Sequence, residues 1–122
     1  ENGVMDDSGG IYSPDWKRLL EISLLDRNSK SSYTVKDGTE VICDDAFMGC
    51  ISLKSIVLPK SLTSIGYEAF FGCISLRRIY IPESVTSIGD GAFADCKSLQ
   101  TIDTPDSVIS LGCGLFIGGI SY

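Results

Sequence analysis

Apolar residues return at fixed intervals along this chain. From Ala69 to Gly91 they fall at Ala69, Phe70, Cys73, Leu76, Ile79, Ile81, Val85 and Ile88, and the segments on either side place similar residues at the same offsets. Three phrases carry the pattern: AFMGCISLKSIVLPKSLTSIGYE from Ala46, AFFGCISLRRIYIPESVTSIGDG from Ala69 and AFADCKSLQTIDTPDSVISLGCG from Ala92. A fourth begins at Leu115 and stops at Tyr122. The first two agree at 14 of 23 positions, where average composition gives about one or two. A fixed period of this length predicts a solenoid in which each coil packs on its neighbours.

Within one coil, Arg78-Ile79-Tyr80-Ile81 alternates polar and apolar character, which predicts a short strand with Ile79 and Ile81 inward and Arg78 and Tyr80 outward. Pro82 cannot donate to a ladder and ends it. Thr86-Ser87-Ile88 predicts a second short strand, with Gly89 permitting a turn. Asp90 to Ala94 suits one helical turn with Asp90 as its N-cap. Stacking then yields two narrow sheets of short parallel strands with short helical turns between them. Phe47, Phe70, Phe93 and Phe116 form one file of equivalent positions, and Ile42, Ile65, Ile88 and Leu111 another. Successive members should lie about 4.7–4.9 Å apart.

The pattern fades upstream. Tyr33, Val35 and Thr39 precede Ile56, Leu58 and Leu62 by one repeat, so residues 32–35 predict the strand of an imperfect opening coil, with a turn at Asp37-Gly38. Ile11-Tyr12-Ser13 and Arg18 to Leu24 flank Pro14-Asp15-Trp16-Lys17, which reads as a hairpin. Its task is to cover the open end of the core, as terminal repeats must. Trp16 is read as a turn residue lying on that cap rather than as a ligand contact. Residues 1–10 are polar and acidic without periodicity and read as a flexible leader. The expected division is leader 1–10, hairpin cap 11–31 and repeats 32–122, with 11–122 forming one domain. The chain starts at Glu1 rather than methionine, as a mature or excised form would. At the other end, residues 115–122 begin a coil without its strand. Such an open core edge invites continuation of the chain or self-association with another copy.

Composition narrows the chemistry. The net charge is −6, which makes phosphate backbones poor partners and argues against nucleic acid. There is no histidine, and so neither the commonest general base nor the commonest metal ligand. No apolar run reaches the roughly 18–20 residues of a membrane span. Cys50, Cys73 and Cys96 share one file, Cys43 and Cys113 stand outside it, and the spacing is wrong for a zinc site. The file is read as buried thiols packing as small apolar groups. The serine files (Ser52, Ser75 and Ser98; Ser61, Ser84 and Ser107; Ser64, Ser87 and Ser110) are read as corner hydroxyls bonded to local backbone rather than nucleophiles. Carboxylates gather at Asp44, Asp45, Glu68 and Asp90; they are read as solvated faces or turn caps rather than calcium ligands. Glu83 and Asp106 share a file and could lie within the roughly 5–10 Å of a hydrolytic pair. Neither a cleft nor stacking aromatics accompany them. No catalytic residue, metal or cofactor is expected.

The phrase AFxGCxSLxxIxxPxSVTSIG, as at Ala69 to Gly89, resembles the leucine-rich repeat of the BspA type. The resemblance covers Val35 to Tyr122, and SGGIYSPDWKRLL resembles the leader hairpin found before such repeats. Departures are local: Thr104 replaces an apolar strand residue, Leu115 replaces alanine and Gly119 replaces cysteine. The resemblance implies a right-handed leucine-rich-repeat superhelix in a bacterial cell-surface or secreted protein, of the kind abundant in Bacteroides and treponemes. It also implies a role in adhesion or binding to host extracellular proteins, with no shared catalytic motif.

A protein or peptide ligand is expected on the outward positions of the strand row: Ser55 and Val57, Arg78 and Tyr80, Thr101 and Asp103. Tyr80 beside Arg78 is the best anchor pair, because exposed aromatic and arginine residues are enriched in hot spots. A second candidate is the proline edge of Asp37, Lys60, Glu83 and Asp106. The competing expectation is a structural spacer in a longer surface protein.

Overall fold

Strands of this chain find their partners one repeat away. The computed structural model describes residues 3–103, 105, 110–111, 116–117 and 120–121. In chain order the strands are β1 (Val4–Met5), β2 (Gly10–Tyr12), β3 (Arg18–Ile22), β4 (Ser32–Thr34), β5 (Val41–Ile42), β6 (Ser55–Val57), β7 (Ser64–Ile65), β8 (Arg78–Tyr80), β9 (Ser87–Ile88), β10 (Thr101–Asp103), β11 (Ser110–Leu111), β12 (Phe116–Ile117) and β13 (Ile120–Ser121). β4 pairs in parallel with β6, Ser32 opposite Ser55. β8 pairs likewise with β10, Arg78 opposite Thr101 and Tyr80 opposite Asp103. On the other side β5, β7, β9 and β11 form one parallel ladder, with Ser64 opposite Ser87 and Ser87 opposite Ser110.

The hairpin joins this second ladder. β3 runs parallel to β5, and β2 and β1 follow antiparallel, so the sheet reads β1-β2-β3-β5-β7-β9-β11. The Ser87–Ile88 strand lies in this longer sheet, which the hairpin extends by aligning Arg18 and Leu19 with Val41 and Ile42. One expectation is corrected here. The row containing Arg78 and Tyr80 is interrupted, with no ladder between β6 and β8. Part of the expected flexible leader is also ordered: Val4 and Met5 pair with Tyr12 and Ile11. Asp6 explains why. Its Oδ1 accepts from the Ser8 and Gly10 N–H groups, and its Oδ2 accepts from the Tyr33 hydroxyl at 2.6 Å. Burial opposes the charge, but these donors and Lys36 hold the Asp6 carboxyl below its ordinary range.

The cap sits on the end of the core as the pattern requires. Tyr12, Leu19 and Ile22 are buried. The Tyr12 and Tyr33 hydroxyls meet at 2.6 Å, and the Lys36 N–H donates to the Tyr12 hydroxyl. Burial, then the bond to Asp6, pushes the Tyr33 hydroxyl far up from its usual range. Trp16 occupies the hairpin turn with φ 63. Its ring lies 5.3 Å from that of Tyr12, and the Lys36 ammonium stands 5.3 Å from its centroid. Arg27 ties cap to coil by donating to the Ile22 and Met48 carbonyls and pairing with Glu21. The second hairpin strand ends earlier than expected, at Ile22, because a turn follows in which Asp26 N–H donates to Ser23 O. Leu24 and Leu25 are consequently 83% and 92% exposed.

The third edge of each coil contains no helix among the described residues, contrary to expectation. The N–H groups there alternate between two partners. Asp45, Phe47 and Gly49 donate to Tyr67, Ala69 and Phe71 of the next coil, while Ala46, Met48 and Cys50 donate three residues back. Glu68, Phe70 and Gly72 repeat the first set, donating to Asp90, Ala92 and Ala94. A helix would need every N–H for itself. The alternation also requires positive φ at two places per coil: Asp45 (62), Glu68 (50) and Gly91 (63), then Gly49 (73), Gly72 (74) and Asp95 (61).

Inside these edges the files stack. Phe47 and Phe70 are parallel at 4.9 Å between centroids, Phe70 and Phe93 at 5.3 Å, and Tyr33 closes the file edge-on to Phe47. Leu53, Leu76 and Leu99 are buried, as are Ile65 and Ile88. Cys50, Cys73 and Cys96 are buried beside them without disulfides. The Cys73 thiol donates to Phe47 O and the Cys96 thiol to Phe70 O, each at 3.1 Å. Burial pushes Cys50 up to about 11 and Cys96 up to about 12, and Cys73 further in the same direction. Three of the file serines bond between coils, not locally as expected. Ser52 Oγ donates to Asn28 O, Ser75 Oγ to Ile51 O and Ser61 Oγ to Thr39 O. Stacking brings the neighbouring carbonyl closer than any in the same coil.

At the chain end, β12 and β13 pair antiparallel with each other instead of opening another coil. The expectations for Thr104, Asp106, Ser107, Cys113, Leu115 and Gly119 lie outside the described residues.

Three measurements test this architecture. Phe70→Ala should lose about 3–5 kcal/mol, the range for a truncated buried aromatic, while exposed Lys60→Ala should lose less than about 0.5 kcal/mol in the same urea titration. Gly72→Ala should lose about 1–2 kcal/mol from its left-handed φ alone, since a Cβ there meets nothing nearer than 3.9 Å. Cys50, Cys73 and Cys96 should resist a thiol reagent at pH 8 until urea unfolds the chain. Their raised values favour the neutral thiol in the fold. That stability is whole below the ordinary thiol range and drains away as pH rises through about 11 and beyond. Rapid reaction of the native protein would contradict the burial.

Candidate functional site

Inward and outward positions of the strand row separate as the alternation requires. Ile56 and Ile79 are buried; Ser55, Val57, Arg78 and Tyr80 are exposed. Val57 and Tyr80 are large apolar groups at 59% and 63% exposure. They stand in one file between Thr34 and Asp103, because β4 pairs with β6 and β8 with β10 in register. Thr101 and Asp103 occupy the row by backbone register, opposite Arg78 and Tyr80. Lys54 and Arg77, also exposed, precede β6 and β8 and give this margin a basic character, whereas the carboxylates collect at the turn edge.

The row does not stand alone. Two grooves run along the corner where each strand meets its proline. One, of about 430 Å³, lies between Val35 and Gly38 of the first coil and Val57 to Ser61 of the second. The next, of about 360 Å³, is lined by Leu58, Lys60, Tyr80, Pro82, Glu83 and Ser84. Leu58 and Lys60 line both grooves, and Tyr80 of the outward row shares the second with Lys60 and Glu83 of the proline edge. Leu58, Pro59, Pro82 and Ser84, outside the expected outward row, also line these grooves. The signal that marks them is the recurrence of proline, a charged residue and serine at 59–61 and 82–84.

A larger depression of about 510 Å³ follows the other sheet past Val41, Ser64, Ser87 and Gly89. Its lining is mostly small or aliphatic and holds only Arg18 and Asp44 as charges. At the turn edge the Asp44 carboxylate serves the backbone, its Oδ1 accepting from the Tyr67 N–H, and the Asp90 main-chain carbonyl accepts from the Glu68 N–H. Glu68 chiefly, with Asp45 and Asp90, raises the Tyr67 hydroxyl above its usual range. Among the described residues no three Cys, Asp or Glu side chains come together as a metal would need. No helix of the described residues is long and apolar enough to cross a membrane.

The geometry has known counterparts. The model of the BspA type leucine-rich repeat region matches residues 24–120 in six copies. A leucine-rich repeat protein of T. pallidum superposes with a TM-score of 0.72 at 29% identity, over 93% of this chain and 50% of its own. The pneumococcal vaccine antigen PcpA superposes at 0.84 with 26% identity, over 92% of this chain and 27% of its own. A leucine-rich cell surface protein of Faecalibacterium prausnitzii A2-165 superposes at 0.57 with 40% identity, over 59% of this chain and 19% of its own. The chain thus spans half or less of each of these structures. No curated protein sequence matches it. With the family's repeat over most of its length and coils that stack one repeat apart, the chain belongs to the BspA type leucine-rich repeat family.

Proposed function

We propose that this chain is a noncatalytic binding module of a bacterial surface or secreted protein. On this reading its coils form part of a right-handed solenoid. Its outward row of Ser55, Val57, Arg78, Tyr80, Thr101 and Asp103 meets a protein or peptide ligand, with adhesion to host extracellular protein as the setting. The observation that carries the reading is the Val57–Tyr80 file. Two large apolar side chains more than half exposed on adjacent coils, bordered by Arg78, form the kind of patch that marks an interaction site. The neighbours support the setting: one is described as a cell surface protein and another as a vaccine antigen. Catalysis fits poorly, because the buried thiols are held neutral and no activated base accompanies the serines.

Capture from an extracellular-matrix extract tests the row. Arg78→Ala combined with Tyr80→Ala should weaken capture of the main partner at least about tenfold, as loss of a hot spot does, without lowering the melting temperature. Undiminished capture would rule this face out.

A further inference from the structure

The seam between the second and third coils is shut on two sides and open on the other. At the turn edge Glu68, Phe70 and Gly72 bond across it, and β7 pairs with β9. At the strand and proline corner the pattern of the preceding seam fails. There, Lys54 N–H donates to Ser31 O, Val35 N–H donates to Val57 O, and β4 ladders with β6. One coil on, among the described residues, neither backbone bond has a counterpart and no ladder joins β6 to β8.

The serine file shows the same contrast. Ser61 Oγ accepts from the Gly38 N–H at 3.0 Å and donates to Thr39 O at 2.7 Å. Ser84 Oγ is buried and has no hydrogen-bond partner among the described residues. A buried hydroxyl left unpaired costs free energy. Thr39 Oγ1 is also buried and unpaired, but it stands in the apolar file of Leu62 and Val85 and lines neither corner groove. Ser84 instead lines the corner notch with Leu58, Lys60, Tyr80, Pro82 and Glu83. Lys60 and Glu83 hold equivalent positions in adjacent coils, are opposite in charge, and line the same notch. They form no ion pair with each other.

We propose that this notch takes an extended peptide segment of the partner protein. An aromatic or leucine side chain sits between Leu58, Pro82 and the Tyr80 ring, a polar group of the peptide bonds Ser84 Oγ, and acidic and basic side chains meet Lys60 and Glu83. The proposal rests on the binding function above and moves its anchor from the outward row to the corner. The chemistry selects a peptide over a glycan. A neutral sugar would cover two charges without pairing either, whereas a peptide can carry both signs and an apolar group.

The test selects a phage-displayed library of random linear dodecapeptides on the full chain, then titrates labelled winners by fluorescence anisotropy. Selected peptides should share an apolar residue flanked by both charge signs. Ser84→Ala and Glu83→Gln should each weaken them about tenfold, as loss of a buried hydrogen bond or charge partner does. Arg78→Ala should change binding by less than about twofold. Ser84→Ala should also raise the melting temperature, since it removes an unpaired buried group, so its lost binding would not reflect unfolding. Peptides that survive Ser84→Ala and Glu83→Gln but fail with Arg78→Ala would overturn the notch and leave the outward row standing. Enrichment of no peptide, glycan-array binding in its place, or a lowered melting temperature for Ser84→Ala would each overturn it as well.

Discussion

Hydrogen bonding between neighbouring coils works only if the coils are equally long. The first and second coils are bonded at three edges, and every edge reaches residues about one repeat away: Ser55 N–H to Ser31 O, Thr63 N–H to Glu40 O and Phe47 N–H to Ala69 O. One inserted residue would move every later donor out of line with its acceptor. The side chains obey the same rule. The parallel rings of Phe47, Phe70 and Phe93 and the thiol bonds from Cys73 and Cys96 exist because equivalent atoms recur at one spacing. Register fixes the core, and the core in turn rewards the register.

That rule leaves the outward positions free. Ile56 and Ile79 must match because they face one another inside, but Val57 and Tyr80 need only be compatible with a short strand. Variation therefore accumulates on the surface while the frame stays constant. The first and second coils are joined at all three edges, whereas the second and third are joined at two. The loosened corner is the place where Tyr80, Lys60, Glu83 and Ser84 converge. On the proposed reading, a repeat stack builds a distinct site by local failure of its own repetition.

Much of the frame could be read without coordinates. The inward alternation at Ile79, the strand end at Pro82, the hairpin around Pro14 to Lys17 and the buried thiol file are all present as expected. Asp90-Gly91-Ala92-Phe93-Ala94 has helix-compatible composition, and composition does not reveal that at the equivalent edges of the two preceding coils alternate N–H groups serve the next coil. The hydroxyls of Ser52, Ser61 and Ser75 were misread for a like reason, since their partners lie nearby in space and a full repeat away in sequence. Val4 and Met5 looked like leader because two residues carry no periodicity; Asp6, through its bonds to Gly10 and Tyr33, draws them into the sheet.

By itself the sequence determined the period, and the period dictated which residues would share a file, because identical offsets in coils of equal length leave a side chain no other place to point. The candidate row Ser55, Val57, Arg78 and Tyr80 followed from that arithmetic. Only the tertiary structure decided how the files were joined: which sheet the hairpin extends, where the ladder between β6 and β8 lapses, and that Ser84 is left without the partner Ser61 has. Those outcomes depend on how closely neighbouring coils approach at each edge, and a repeating sequence treats every seam as the same.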